Sequence, residues 1–326
     1  MQHGDRPDGS LNTLPLGSLY AHLAQSGLVR RLLELAHEED LGAPARGSEV
    51  PAASGDVTTW ACIPAWKQGV GQVVARKGGV VSGLAVVPEM MRLFAPGCSF
   101  EALASDGDEV GHEALLGVLR GPLDEILELE RTLLNLLGRL GGVATLTRTY
   151  ARAIPAGARA RLFDTRKTTP GLRVLEKYAV RCGGGYCHRI GLHDAMLIKD
   201  NHLAGIGVAA LAAFVHEAVM RARRERTLAF VEVEVDTLEQ LTALLTLPAG
   251  VIDMVLLDNM NAAQLRQAVA MRDSAGSTVE LECSGGVTLA TLPELAGTGV
   301  DRISVGALTH SAISLDVALD LTEVAG

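Results

Sequence analysis

Six short apolar runs, each closing on a polar or glycine residue, fill the chain after Ile154: ARARLFDTRK (158–167), AMLIKDN (195–201), FVEVEVD (230–236), MVLLDN (254–259), TVELECSGG (278–286) and DRISVGA (301–307). Helical patterns such as VAALAAFVHEAVMRARR (208–224) and NAAQLRQAVAMRD (261–273) lie between most of them. Strand and helix in alternation require crossover connections, so the strands lie parallel, and this many units predict an α/β barrel or an incomplete one. The strand ends offer Asp164 with Arg166 and Lys167, then Lys199, Glu234, Asp258, Ser284 and Gly306. In such barrels the carboxyl ends of the strands form the catalytic face. Any one of these residues reads as well as a helix cap or loop polar. Their recurrence on one rim favours a site.

The stretch from Asp164 to His202 is a basic island, with seven Lys/Arg and three His against four carboxylates in a protein of net charge -9. A field of one sign concentrates ligands of the other, so the island predicts an anionic ligand. Arg166, Lys167, Arg189 and Lys199, with His188, suit carboxylates and diphosphate, because arginine offers two parallel donors to such groups. Ser284, Gly285 and Gly286 stand between a strand and a helix start, and Gly306 follows the next strand. Glycines there let backbone N–H groups approach a phosphate. Glu234 and Asp258 form an acidic pair suited to ribose hydroxyls or to Mg²⁺, which prefers one or two carboxylates plus phosphate oxygens. Glu232 points the same way as Glu234 on an alternating strand and competes for that role. The ligand set therefore combines a phosphosugar with a carboxylate-bearing partner.

The N-terminal part reads differently. Residues 1–18 are expected to be a mobile tail, Tyr20–Glu39 a helix with Leu23, Leu28, Leu32, Leu35 and Ala36 near one face, and the small-residue stretch 42–55 a surface loop. Short Val/Leu/Ala runs from Gly69 to Leu119 predict strands and turns. Pro122 opens a long helix whose Ile126, Leu129, Leu133, Leu136 and Leu140 face a core, with Arg131 on a polar side. Domains are thus expected at 19–121 and 122–311, with 312–326 a candidate to pack on the first.

Composition excludes other classes. A 326-residue chain that is 48% hydrophobic can bury a large core. No run of eighteen uncharged apolar residues predicts a membrane span, and the first fifteen residues lack the apolar centre of a signal peptide, so a cytoplasmic location is expected. Five cysteines without paired metal spacing read as reduced thiols. Net acidity with 3% aromatic residues argues against nucleic acid.

The strings ERTLLN (130–135), DTRKTTPGLRVLEKYAV (164–180), GGGYCHRIGLHDAMLIKDNH (183–202), VEVEVDTLEQ (231–240), LLDN (256–259), ECSGGV and ISVGALTHS closely resemble the quinolinate phosphoribosyltransferase family, the carboxylating nicotinate-nucleotide pyrophosphorylases. EEDLG, GDVTT and the SDGDEV region extend the resemblance to the N-terminal part. It implies an N-terminal α/β sandwich plus an incomplete α/β barrel of the type II phosphoribosyltransferase kind, in a homodimer with shared active sites. The implied reaction takes quinolinate and phosphoribosyl pyrophosphate, with Mg²⁺, to nicotinate mononucleotide, pyrophosphate and CO2, a step of NAD biosynthesis. By resemblance Arg131 (lent to the neighbouring subunit), Arg166, His188, Arg189 and Lys199 hold quinolinate. Lys167 lies near the pyrophosphate. Glu234 and Asp258 address the ribose and the metal, directly or through water, and Ser284, Gly285, Gly286 and Gly306 hold the 5′-phosphate with His310 nearby. Lys167, Lys199, Glu234 and Asp258 are the implied catalytic set.

Two positions depart from the family pattern: Cys187 stands where asparagine is usual, and Gly141 where a serine is usual. Alternative readings are a related transferase with another acceptor, such as those associated with molybdenum uptake, a barrel lyase using Lys199 as a Schiff base, and a non-enzymatic phosphate-ligand sensor.

Overall fold

The computed structural model of the chain describes residues 10–42 and 55–322. Half of the expected tail (1–9) and most of the expected loop (43–54) lie outside the described residues. The described residues divide into two compact units: one takes residues 10–14 with Thr149–Lys167 and Gly185–His310, the other residues 15–42 and 55–148, Thr168–Gly184 and residues 311–322.

The second unit is built on an antiparallel sheet. Its strands are β1 (Gln68–Ala75), β3 (Ser99–Ala102), β5 (Ala114–Pro122) and β12 (Val317–Thr322), in the order β12-β1-β5-β3, with a separate pair β2 (Gly79–Val80) and β4 (Glu109–Val110). Pairing of Val70–Ala75 with Val317–Thr322 ties the C-terminal segment into this sheet. The helix Leu123–Ala153 contributes its first 26 residues to the same unit. Its expected core positions Ile126, Leu129, Leu133, Leu136 and Leu140 are all buried. A Cβ on Gly69 would lie 2.8 Å from Leu123 Cδ1, so the helix rests directly on β1. That close packing draws residues 123–148 to the N-terminal unit and away from the expected boundary at 121/122.

The expected helix 20–39 is in fact two helices, Leu16–Ala24 and Leu28–Leu41, broken at Gly27 with φ +71°. A left-handed backbone suits glycine and ends helical phase. The apolar face shifts accordingly: Val29 and Leu33 are buried, whereas Leu28 and Leu35 are exposed. Pro122 is the last residue of β5, one position before the helix it was expected to open. The departure at Gly141 also has a local cause, because a Cβ there would meet Leu315 at 3.0 Å and leave a serine no room without moving Leu315.

The first unit carries the expected parallel sheet: β6 (Arg161–Phe163), β7 (Met196–Ile198), β8 (Val231–Val235), β9 (Met254–Asp258), β10 (Glu280–Ser284) and β11 (Arg302–Ser304), ordered β6-β11-β10-β9-β8-β7. The strands are consecutive from β7 to β11, and β6 joins beyond β11. β6 and β7, neighbours in sequence, are therefore the two end strands of the sheet, and no ladder joins them among the described residues, so the barrel stays open along one seam. The strands are largely buried, with apolar residues such as Val231, Val233, Val255 and Leu281 on one face and charged Glu232, Glu234, Glu282 and Arg302 buried on the other. Residues 10–14 belong to this unit and are not the loose tail expected: Ser10–Asn12 form a 3-10 turn, and Asn12 is buried.

Candidate active site

Strand register sets the rim. Asp258 pairs with Ser284, Glu234 with Leu256 and Leu197 with Glu232. Residues paired in a parallel sheet point to one face, and every second residue repeats it. Glu234, Asp258 and Ser284 therefore share a face, and Lys199, two residues beyond Leu197, joins them. Lys199 Nζ donates to Glu234 Oε2 at 2.8 Å. Asp258 accepts from Asn259 Nδ2 at 2.7 Å. Burial, with Asp236 adding to it, raises the Asp258 carboxyl above its ordinary range, while Lys199 and Lys167 pull the other way.

The glycine loops close the far side of the rim. Gly285 and Gly286 have φ of +86° and +60°, conformations that leave glycine as the unstrained choice. A Cβ on Gly285 would run into Asn259 Oδ1. At Gly306 a Cβ would meet Lys167 Cδ at 2.9 Å and the His310 ring at 3.2 Å, so those three residues converge. Thr309 Oγ1 donates to the Lys167 carbonyl at 2.8 Å and fixes that approach.

Below the rim lies a layer of buried charge. His188 Nε2 is 2.9 Å from Glu232 Oε2 and 3.5 Å from Glu282 Oε1. Arg302 Nε donates to Glu282 Oε2 at 2.8 Å, and its guanidinium lies 3.6 Å from the centroid of the Phe163 ring. Burial opposes charge on His188, but Glu282 and Glu232 outweigh it and hold the imidazole at about 9. Burial likewise opposes charge on Glu282, and His188 and Arg302 overcome it, leaving that carboxyl at about 2. For Glu232 burial and Glu282 win, and its carboxyl is raised. His188, Glu232 and Glu282 have the spacing of a metal-ligand trio. However, the Arg302 cation already occupies Glu282, and a charged His188 offers no lone pair from the nitrogen it needs, so the cluster reads as a neutralised ion network.

The open seam holds the arginines. A cavity of about 620 Å³ is lined by Arg166, Arg189 and Lys199, with Met196–Ile198 of β7 and also His202 and Arg221. The structure thus brings Arg166, Arg189 and Lys199 to one space, Lys199 to Glu234, and Lys167 to Gly306 and His310. Arg131 is in the other unit, largely exposed beside Glu130 at 3.9 Å, where Asn135 and Arg139 help line a separate cavity of about 460 Å³. Glu232 and Glu234 part company here: the first turns to His188, the second to Lys199.

Glu282, Arg302, His202, Arg221 and Asn12 were not singled out from the sequence. One of them carried a signal, since Glu282 precedes Ser284 by two residues; Arg302 emerges only from the register that pairs it with Glu282. The Schiff-base reading for Lys199 loses ground because that chemistry needs a free amine, and this one donates to a carboxylate.

No helix among the described residues is long and apolar enough to cross a membrane. Residues 143–320 match the family described as quinolinate phosphoribosyl transferase, C-terminal domain, and residues 56–141 the corresponding N-terminal domain. The chain is 42% identical over 268 residues to the nicotinate-nucleotide pyrophosphorylase (carboxylating) of Mycobacterium leprae, spanning 82% of this chain and 91% of that one. It is 40% identical over 252 residues to a probable enzyme of the same name from Bacillus subtilis, spanning 77% and 83%. Among solved structures, the nicotinate-nucleotide pyrophosphorylase from Francisella tularensis matches with TM-score 0.78 at 32% identity over 98% of this chain and 100% of that one. NadC from Streptococcus pyogenes matches with TM-score 0.78 at 34% identity over 91% and 97%.

Proposed function

The chain belongs to the quinolinate phosphoribosyltransferase family, and on that premise we propose that it moves the phosphoribosyl group of phosphoribosyl pyrophosphate onto quinolinate, releasing pyrophosphate and CO2 and leaving nicotinate mononucleotide for NAD biosynthesis. The observation that carries the reading at the level of the site is the convergence of Arg166, Arg189 and Lys199 on one cavity. These cations suit a ligand with two carboxylates, and nicotinate, with one, would pair with fewer of them.

The residues divide the work. Arg166, His188, Arg189 and Lys199 hold quinolinate, with His188 backed by Glu232 and Glu282 in the layer beneath the rim. Glu232 and Glu282 keep that ring charged and oriented, so Glu232 serves His188 and Glu234 faces the sugar. Glu234 and Asp258 stand where the ribose becomes positive as pyrophosphate leaves, and fixed negative charge there lowers the barrier. Lys167 balances charge on the departing pyrophosphate. Ser284, Gly285, Gly286 and Gly306 cradle the 5′-phosphate, with His310 alongside. Once the ring nitrogen is ribosylated the ring is cationic and stabilises the electron pair left on the ring carbon by the departing carboxylate, and that carbon then takes a proton from solvent. No covalent enzyme intermediate is required.

The carboxylate pair Glu234 and Asp258 suits Mg²⁺, a hard cation that takes one or two carboxylates, directly or through water, plus phosphate oxygens. When bound it would screen negative charge on the diphosphate. We further assign the protein to a homodimer in which Arg131 reaches the neighbouring protomer's quinolinate, and to the cytoplasm, which its free thiols suit. Incubation with phosphoribosyl pyrophosphate and Mg²⁺ should release pyrophosphate only when quinolinate is added. Equal release with nicotinate would contradict the reading.

A further inference from the structure

The segment carrying His188 and Arg189 runs beside β6 as a fragment of strand. Tyr186 bridges Phe163 in parallel, its N–H donating to the Leu162 carbonyl at 2.8 Å and its carbonyl accepting from Asp164 N–H at 3.0 Å. In an extended chain successive residues turn their backbone groups to opposite sides. The N–H and C=O of the next residue, Cys187, therefore face away from β6, into the seam where β7 does not pair. Both are met by one side chain, 175 residues distant. Cys187 N–H donates to Asn12 Oδ1 at 2.7 Å, and Asn12 Nδ2 donates to the Cys187 carbonyl at 2.9 Å, both bonds buried.

We propose that Asn12 is a positioning residue for dicarboxylate binding, its carboxamide standing in for the strand neighbour that the open barrel lacks. A carboxamide matches a peptide group donor for acceptor, so it caps a strand edge with the same two-bond pattern as a ladder. The bonds that follow show what the clamp orients. His188 N–H donates to Asp164 Oδ1 at 2.7 Å, and the His188 ring donates to Glu232 Oε2 at 2.9 Å. With Asn12 in place each backbone N–H from Tyr186 to His188 has a fixed partner, and the two cationic side chains leave a segment held on both edges. Asn12 touches backbone alone in these bonds, so Cys187, in place of the family's asparagine, does not disturb the clamp. The inference rests on the proposed reaction for its kinetic consequence only.

The test compares the full-length protein with Asn12→Ala and Asn12→Asp, the second keeping the acceptor for Cys187 N–H while losing the donor. Asn12→Ala should raise KM for quinolinate about ten-fold while KM for phosphoribosyl pyrophosphate stays within about two-fold, since misplacing a binding group acts on the ligand it holds. Asn12→Asp should fall between. Amide hydrogen exchange, independent of activity, should show faster exchange at Cys187 in Asn12→Ala, with little change at Val233 and Val255 in the sheet. Inactive wild-type protein would count against the proposed reaction, and the exchange result would then decide the clamp alone. Equal KM changes for both substrates, or unaltered exchange at Cys187, would overturn it.

Discussion

His188 Nε2 lies 2.9 Å from Glu232 Oε2, with both side chains buried in the layer beneath the rim. Burial alone would neutralise the ring; Glu282 and Glu232 reverse that and raise it from 6.5 to about 9. A raised value means that the stabilisation is complete below 6.5 and is lost as pH rises through about 9. The kcat/KM for quinolinate should fall over the same alkaline window as His188 loses its charge. Glu232→Gln should move that limb down by about one pH unit or more, because a carboxylate contributing to the charge is gone. An alkaline limb that does not move would contradict this role.

Arg302 is the cation that makes Glu282 tolerable in the interior. Arg302→Met keeps most of the apolar stem over Phe163 but strands a buried carboxylate, and breaking such a pair costs about 3–5 kcal/mol. Denaturant unfolding measures this loss. A change below about 1 kcal/mol would mean the network relaxes freely.

The arginines of the seam cavity should separate the two substrates. Arg166→Ala and Arg189→Ala are each expected to raise KM for quinolinate about ten-fold or more, with the phosphoribosyl pyrophosphate KM changed much less. Steady-state kinetics with each substrate varied checks this. Equal effects on both would remove these residues from the dicarboxylate subsite.

Gly285 and Gly286 offer an internal comparison. Both have positive φ, but a Cβ on Gly285 also runs into Asn259, whereas Gly286 has nothing within 4 Å. Gly286→Ala should cost about 1 kcal/mol of stability from backbone strain, and Gly285→Ala more, with a higher KM for phosphoribosyl pyrophosphate. Thermal melts and kinetics on the two variants distinguish the contributions. Gly286→Ala as the worse variant would contradict the geometry.

The parallel sheet was legible because each strand is a self-contained apolar run ending in a functional residue, from FVEVEVD to MVLLDN. Asp258 and Ser284 could be placed on one rim from chain order alone. The choice between Glu232 and Glu234 could not be, since alternation points both to one face and only the depth of His188 separates them. Arg302 was hidden for a related reason: an arginine at a strand start reads as exposed until register sets it opposite Glu282. The break at Gly27 went unseen because helical periodicity on either side resembles one long helix. Asn12 carried no local signal, as its partner is distant in sequence and offers only backbone.

The central claim is that one cationic cavity selects a dicarboxylate, with phosphoribosyl transfer and decarboxylation coupled. Quinolinate labelled at its 2-carboxylate, mixed with the protein, phosphoribosyl pyrophosphate and Mg²⁺, measures it most directly. The account predicts one labelled CO2 and one nicotinate mononucleotide for each pyrophosphate, and neither product when nicotinate replaces quinolinate. Pyrophosphate release without labelled CO2, or nicotinate turned over as readily as quinolinate, would contradict it.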